Sequence, residues 1–429
     1  MLGKYKSFSN FSHAVKTTSR CFRPDNECQT NELFANKNFK NILARGNGSS
    51  YSDCCVNNQG IIIDTSRLNH FLSFDELTGI LVCQGGVSFA ELFSINPHFI
   101  PPVIPGTLHA TVAGGIANDV HGKNNHYAAS FGQHIAWLEL LIGNDSVRCS
   151  PDENTALFYA TIAGLGLTGL IKRVAIKMRK ASHFVAVQTE KYQSFDAVLQ
   201  RMQNEGCQSD YQVAWLDLLN KPSAILSLAQ HCEQTAPASN HSFTVPKLPL
   251  CFIRPWLMKQ FNYSYFKMKK EGKKILRLSQ FNNPLDSIQH WNRLYGKKGL
   301  LQFQAVFAAE TALQTLEHLL SVIKACKATP TLAVLKYFTQ SGLGLLSFTQ
   351  PGFTLAIDFI NNQQSKEAIS MMNEWISSIG GKIYLAKDLL LSPAQFKQQY
   401  PKHEQFNQLL TQYRSKMHSD LSRRLGITK

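Results

Sequence analysis

The sequence predicts an α+β chain of two domains, and three observations carry that reading. At 429 residues it is too long for one simple core. Up to about residue 178, short apolar runs alternate with glycine-rich breaks, the pattern of brief strands joined by tight turns. Further on, strand-like runs alternate with amphipathic helical stretches, the pattern of an antiparallel sheet covered by helices on one face.

The elements follow in order. The first ten residues are the one stretch that reads as a disordered tail. Residues 42–64, ILARGNGSSYSDCCVNNQGIIID, read as strand, glycine-rich turn, loop and strand. Residues 78–93, TGILVCQGGVSFAELF, read as strand, Gly-Gly turn and a helix begun at Ser88. The pattern ends in the strand-like GLIKRVAIKMR. No GxGxxG follows a first strand and opens a helix, so a Rossmann unit is not expected. YQVAWLDLL and GLLQFQAVFAAE read as strands feeding loops or helices. Residues 311–325, TALQTLEHLLSVIKA, have the apolar spacing of an amphipathic helix. TLAVLKYF, LGLLSFTQ and FTLAIDFI are then three successive strand candidates. QSKEAISMMNEWISSIGG reads as a helix stopped by glycine, and GGKIYLAKD as a short strand and loop. Two last helices, at about 393–399 and 403–424, are expected to pack back on the first domain. The boundaries that result are 1–183, 184–380, and a returning segment 381–429.

An apolar fraction of 44% with 17% charged residues describes a well-packed globular protein. No run of 18 uncharged apolar residues occurs, so no membrane-spanning helix is expected. The N-terminus lacks a continuous apolar core of signal-peptide length, and a cytoplasmic location is the expectation. The ten cysteines form no CxxC pair and no cluster with histidine. Free thiols are expected, and no metal site.

Net charge is +15, a surface that favours phosphates. Residues 251–278, CFIRPWLMKQFNYSYFKMKKEGKKILRL, interleave aromatic rings with cations. This segment reads as an amphipathic cover on the sheet, or as a dock for an anionic membrane surface. Nucleic acid is the third reading of such charge, but no recognised nucleic-acid module accompanies it, and nucleic-acid binding is not expected.

Three glycine clusters stand out. ARGNGSSYSD (44–53) packs two glycines and two serines behind an arginine. Read alone it is either a plain strand-to-strand turn or an anion nest of inward main-chain N–H groups. VIPGTLHATVAGGIAND (103–119) and AGLGLTGLI (163–171) follow. Three clusters allow close backbone approach at several points, as an extended ligand with a pyrophosphate and a flat ring needs. Between them lies HGKNNHYAASFG, two histidines and a lysine among small residues. His126 and His134 read as structural. Lys336, central in an apolar strand, must find an anion or reach water.

ARGNGSSYSD, IPGTLHATVAGGIANDVHGKNNHYAASFG and FYATIAGLGLTGLI together resemble the FAD domain of the vanillyl-alcohol-oxidase (PCMH-type) flavoprotein family. The likeness is closest to a branch that oxidises polyprenyl-phosphoryl ribose. It continues through YQVAWLDLL, HWNRLYGKKGLLQFQ, VLKYF, PGFTLAIDF and IYLAKD, and weakens in the first 40 residues. The resemblance implies that the first loop wraps the pyrophosphate of FAD with Ala44, Arg45, Gly46, Asn47, Gly48 and Ser49. That loop would continue through Ser50, Tyr51, Ser52, Asp53 and Cys54. Gly106, the run Thr111, Val112, Ala113 and Gly114, and the run Asn118, Asp119, Val120 and His121 would line the ring system. Ile171 and Tyr384 would complete it. Many relatives attach FAD through a histidine at the position of Ser49, so FAD is expected to be non-covalent here.

The implied reaction is hydride transfer from a secondary alcohol carbon, converting the 2-hydroxyl of a polyprenyl-phosphoryl ribose-like substrate to a ketone. Lys387 and His121 would be catalytic; which of them acts as base stays open. Tyr51, Lys123, Trp215, Tyr295, Gln302, Gln304 and Lys336 match the substrate pocket, with Lys123 or Lys336 facing a phosphate. A short-chain NAD(P)H-dependent reductase would complete an epimerisation in cell-envelope biosynthesis, with peripheral contact on the inner face of the plasma membrane. A soluble sugar, alditol or aldonolactone is the alternative substrate, and a flavin-free scaffold the alternative class. Two positions depart from the branch. Asn125 replaces a histidine, and Ala356 stands in place of a reactive cysteine.

Overall fold

A computed structural model of the chain describes residues 2–206, 208–236, 243–246, 251 and 253–428. The first sheet has four strands in the order Lys4–Ser9, Lys16–Phe22, Ile61–Asp64, Ile42–Arg45. The first two pair antiparallel, and Ile61–Asp64 runs parallel to both its neighbours. The N-terminus is therefore no tail: Lys4–Ser9 pairs along its whole length with Lys16–Cys21. Its side chains are mostly exposed. Backbone pairing holds this edge strand rather than an apolar stripe, which is why its sequence shows none.

A second, antiparallel sheet runs Phe71–Asp75, Ile80–Gln84, Leu170–Lys177, Ile135–Ile142, Asp145–Cys149. Leu81, Leu138, Leu140, Val174 and Ile176 form its core with Val112, Ile116 and Phe158 from short helices. The turn glycines do specific work here. A Cβ on Gly85 would lie 2.4 Å from the Ile171 carbonyl, so only glycine lets these chains meet.

The third sheet has eight antiparallel strands: Gly272–Arg277, Phe184–Tyr192, Ser223–His231, Tyr211–Asp217, Pro330–Phe338, Gly352–Ile360, Leu300–Phe307, Lys382–Ile383. The helices Phe195–Glu205, Ala312–Ala325 and Gln363–Ser378 cover one face. They bury Leu199, Met202, Leu316, Leu319, Met372 and Ile376 in one core with Phe303, Leu335, Leu355 and Ile357. Period-two alternation then sends the polar residues of those strands to the opposite face.

Two expected elements differ. LGLLSFTQ (343–350) is a loop, not a strand. Ser347 Oγ donates to Asp119 at 2.7 Å, and a Cβ on Gly344 would sit 1.9 Å from the Ile162 carbonyl. That cross-chain seat outweighs the β propensity of the stretch. The last helix is two, His403–Gln412 and Asp420–Arg424. Between them Arg414 turns to φ 48°, and the chain docks along the first sheet: Ile42 N–H donates to Lys416 O at 2.9 Å and His418 N–H to Ile42 O at 2.8 Å.

The final helix closes the structure through Arg424. Its guanidinium holds Asp53 with two bonds of 2.9 Å and lies 3.0 Å from buried Asp388. Arg424→Met leaves two enclosed carboxylates without their cation. The expected loss is about 3–5 kcal/mol, read by urea unfolding; an unchanged midpoint would remove this pair from the account.

Candidate active site

The first glycine loop follows directly from the strand Ile42–Arg45. Arg45 folds back, donating to the carbonyls of Cys55 and Ser9, the latter at 2.9 Å. Gly48 turns over this side chain at φ 63°, and any Cβ there would collide with the guanidinium at 2.0 Å. Gly46 passes Thr111 so closely that a Cβ would lie 2.4 Å from its hydroxyl. Asn47 donates to His109 O at 2.8 Å. Arg45, Asn47 and Asp53 thus spend their side chains on bracing. The N–H groups of residues 46–50 have no acceptor among the described residues.

The loop is tied at its far end to the C-terminal segment. Ser50 Oγ donates to Ala386 O at 2.7 Å, and the N–H groups of Tyr51 and Ser52 donate to the same oxygen, each at 3.2 Å. Lys387 follows, its Nζ 3.6 Å from the centre of the Tyr51 ring. Burial pulls its pKa down to about 7; Asp358 resists the shift and Lys336 adds to it. Ser52 Oγ accepts from Cys54 N–H at 3.1 Å.

Thr111 caps the short helix Val112–Ala117, its hydroxyl accepting from Gly114 N–H at 3.2 Å. A Cβ on Gly106 would meet nothing within 4 Å, and one on Gly114 only Thr111 Oγ1 at 3.1 Å. Asn118 donates to Gly114 O at 2.9 Å, while Tyr384 Oη donates to Asn118 O at 2.9 Å. Asp119 stands at φ 42° with its carboxylate taken up by Ser130, Gly132 N–H and Ser347. It anchors the turn that presents Val120 and His121.

His121 is enclosed by Phe338, Phe348 and Tyr384, with ring centres 4.9, 5.5 and 5.1 Å away. Its Nε2 lies 2.9 Å from the Gln304 amide nitrogen, and its Nδ1 is buried with no partner among the described residues. Burial, then Lys336 and Lys387, hold its pKa well below the usual value, so the ring is neutral. The two residues expected to be catalytic are therefore brought together, with Tyr384 beside both.

The polar sheet face supplies the rest. Gln304 and Val334 both pair with Ala356, Trp215 pairs with Val334, Gln302 with Asp358, and Lys336 with Thr354. Gln302, Gln304, Lys336 and Ala356 share this face because they stand at period two from one another within their strands or across the ladder. Lys336 has no ion pair or hydrogen bond from its amine among the described residues, and burial lowers its pKa to about 8. Lys123 donates to Phe281 O at 2.5 Å, with its pKa down to about 7 through burial, then Lys336 and Lys269. Tyr295 is buried with its hydroxyl on Thr331 at 2.5 Å. His126 and His134 bond to backbone carbonyls, as a structural role requires. The nine described cysteines are free, and Cys207 lies outside the described residues.

Two contributions escape sequence reading. Asp358 is buried on the same face, accepts from Gln302, and is pushed up to about 6 by burial against the pull of Gln302 and Lys387. Its signal was present, two residues beyond Ala356 in PGFTLAIDF. Asn10, Phe11 and Ser12 bind the first loop: Asn10 Nδ2 and Ser12 Oγ donate to Tyr51 O at 2.6 and 3.2 Å, and Phe11 N–H to Ser50 O at 2.9 Å. No local motif marks them.

Residues 21–150 match the FAD binding domain family. Across 394 residues the chain is 32% identical to decaprenylphosphoryl-beta-D-ribose oxidase of Mycolicibacterium smegmatis, covering 86% of this chain and 85% of that protein. Shorter matches reach human Delta(24)-sterol reductase, 26% identical over 47% of this chain and 37% of the relative. D-arabinono-1,4-lactone oxidase of Yarrowia lipolytica is 23% identical over 41% of this chain and 34% of the relative.

An unpaired lysine in a crowded site makes a signed prediction. The Lys336 amine titrates at about 8 folded, against about 10.4 in an unfolded chain. Between these values the unfolded state binds more protons, so stability rises with pH. In cofactor-free protein, Lys336→Met should raise the melting temperature at pH 7 and flatten its rise between pH 8 and 10. Melting curves that keep the parent slope would contradict this placement.

Proposed function

We infer the function from one premise: this chain belongs to the FAD-linked oxidoreductase family that includes decaprenylphosphoryl-beta-D-ribose oxidase, and it is an FAD-dependent oxidoreductase. Its reaction is then oxidation of the 2-hydroxyl of a polyprenyl-phosphoryl ribose to the keto sugar, the first step of an epimerisation. The observation that carries the choice of substrate is the group of amines, Lys123, Lys336 and Lys387, crowded together with one carboxylate on the sheet face, Asp358. Such a site lacks an anion, and a phosphate-bearing substrate supplies it. A neutral free sugar or aldonolactone would leave the amines uncompensated.

The residues fit the cofactor. The acceptor-free N–H groups of residues 46–50 suit a diphosphate, and the open positions at Gly106 and Gly114 leave room for a flat ring beside Asn118, Ile171 and Tyr384. Bound there, FAD supplies the acceptor for the hydride that leaves the carbinol carbon. With Ser49 in the loop, no imidazole is present there to attach it.

His121 accepts from the Gln304 amide at Nε2, which places its own proton on Nδ1. That N–H orients the substrate oxygen. The hydroxyl proton passes to the Lys387 amine, which is partly neutral near pH 7. The resulting ammonium is steadied by the Tyr51 ring and by Asp358 and balances negative charge in the site. The alcohol thus loses a hydride and a proton and becomes a ketone.

A keto sugar product calls for a hydride-donating partner, a short-chain NAD(P)H-dependent reductase. Among the described residues no helix is long and apolar enough to cross a membrane. The helix Pro255–Met268 exposes Trp256 and Tyr263 next to Lys267, with Lys270 just beyond its end. This surface suits peripheral contact with an anionic leaflet from the cytoplasmic side, each lysine near the lipid adding about 1 kcal/mol.

Anaerobic bleaching of the flavin tests the reading against a panel of prenyl-phosphoryl pentoses, free sugars and aldonolactones. Bleaching by the free sugars alone would overturn it. Lys387→Ala should keep the fold and bind FAD while reduction slows about 10²–10³-fold. In the parent, the second-order rate of reduction at low substrate should rise as pH passes about 7, where the Lys387 ammonium of the free enzyme loses its proton. Acid precipitation should leave FAD in the supernatant; flavin retained on the polypeptide would contradict the Ser49 argument.

A further inference from the structure

The helix Pro255–Met268 lies over the third sheet with only Asn262 of its residues enclosed. Leu257, Phe261 and Tyr265 recur every four residues, and Met268 follows, so they form one flank. All four are exposed, Phe261 at 55% and Met268 at 79%. A soluble surface rarely leaves an aligned apolar strip bare without a use. Trp256, Tyr263 and Lys267 fall on the other flank by the same spacing, with the Lys267 amine 4.7 Å from the centre of the Tyr263 ring.

The first flank is continuous with the active face. Phe261 and Tyr265 stack with their planes 10° apart and centres 6.0 Å apart. The Tyr265 ring meets Trp215 edge-on at 5.1 Å. Trp215 pairs with Val334, two residues from Lys336. At the helix end, Lys269 donates its N–H to Tyr265 O at 3.0 Å, and its charge and that of Lys336 both act on Lys123. An aromatic path therefore leads from a cluster of cations to the surface. Its inner end suits a phosphate and its outer end a hydrocarbon, the polarity of an amphiphile lying along it.

We propose that the flank formed by Trp215, Tyr265, Phe261 and Leu257 seats the first isoprene units of the substrate's prenyl chain, with the phosphate among Lys123, Lys269 and Lys336. This rests on the polyprenyl-phosphate reading above and adds where the chain leaves the site. From Tyr265 to Leu257 the helix rises about 12 Å, room for roughly two or three isoprene units. The flank carrying Trp256 and Tyr263 is left for the bilayer.

The test uses the FAD-loaded enzyme without vesicles and two soluble substrates, ribosyl phosphates esterified with one isoprene unit or with three. The parent should half-saturate at a tenfold or lower concentration of the longer substrate. The double variant Leu257→Ser/Phe261→Ser alters only exposed side chains. It should raise KM for the longer substrate about tenfold, leave kcat and the shorter substrate's KM unchanged, and still sediment with anionic vesicles. Phe261→Leu should retain the chain-length preference. A double variant that keeps the preference overturns the proposal, as does one that keeps the preference and loses only vesicle binding, since the flank would then belong to the bilayer. A parent that bleaches with free sugars and ignores chain length would instead remove the polyprenyl reading itself.

Discussion

Five consecutive main-chain N–H groups, those of residues 46–50, lack an acceptor among the described residues, and much of the site exists to keep them that way. These residues are half-exposed or exposed, so water can solvate the amides, and an anion that displaces it meets several donors at once. The loop cannot relax to satisfy itself because its side chains are fixed elsewhere. Arg45 is held by Ser9 and Cys55, Asn47 by His109, Ser50 by Ala386 and Asp53 by Arg424. These braces come from the N-terminus, the second glycine cluster and the C-terminal segment. The same contacts that open the nest therefore set Lys387 over Tyr51 and bring Tyr384 against His121.

Electrostatics gives the site its second constraint. Burial lowers the proton affinity of Lys123, Lys336 and Lys387, Lys336 adds to the effect on the other two, and His121 is kept neutral by burial first and then by Lys336 and Lys387. Asp358 offsets part of this charge and no more. The outcome is an amine that can hold a proton or release it near neutrality, next to an imidazole that can orient but has little tendency to charge. An anionic substrate then does two things on arrival: it compensates the lysines and it raises their affinity for the proton that the reaction releases.

Much of this was legible in the sequence, for local reasons. Glycine runs mark close approach, as Gly46 and Gly48 bear out against Thr111 and Arg45. Alternation in GLLQFQAVF and TLAVLKYF separates Gln302, Gln304 and Lys336 from the core, and the amphipathic helix at Ala312–Ala325 stands as expected. Roles set by distant partners were not legible. Asp119 reads as a ligand-facing aspartate, yet its carboxylate serves Ser130, Gly132 and Ser347. LGLLSFTQ has strand propensity, yet Ser347 and Gly344 draw it across as a loop. The polar edge strand Lys4–Ser9 carries no periodic signal at all. Asp358 was readable by counting two from Ala356, but a carboxylate in an apolar strand gains meaning only once Lys387 is placed near it.

The most direct test of the amide nest is the FAD dissociation constant of Gly48→Ala. A Cβ there must displace the Arg45 guanidinium and reshape the loop. Gly143→Ala is the control, because it carries the same backbone strain at φ 60° with nothing within 4 Å. Gly48→Ala is expected to stay folded and bind FAD about 100-fold more weakly, roughly 2.7 kcal/mol, while Gly143→Ala binds as the parent does. Parent-like affinity in folded Gly48→Ala protein would contradict the amide nest.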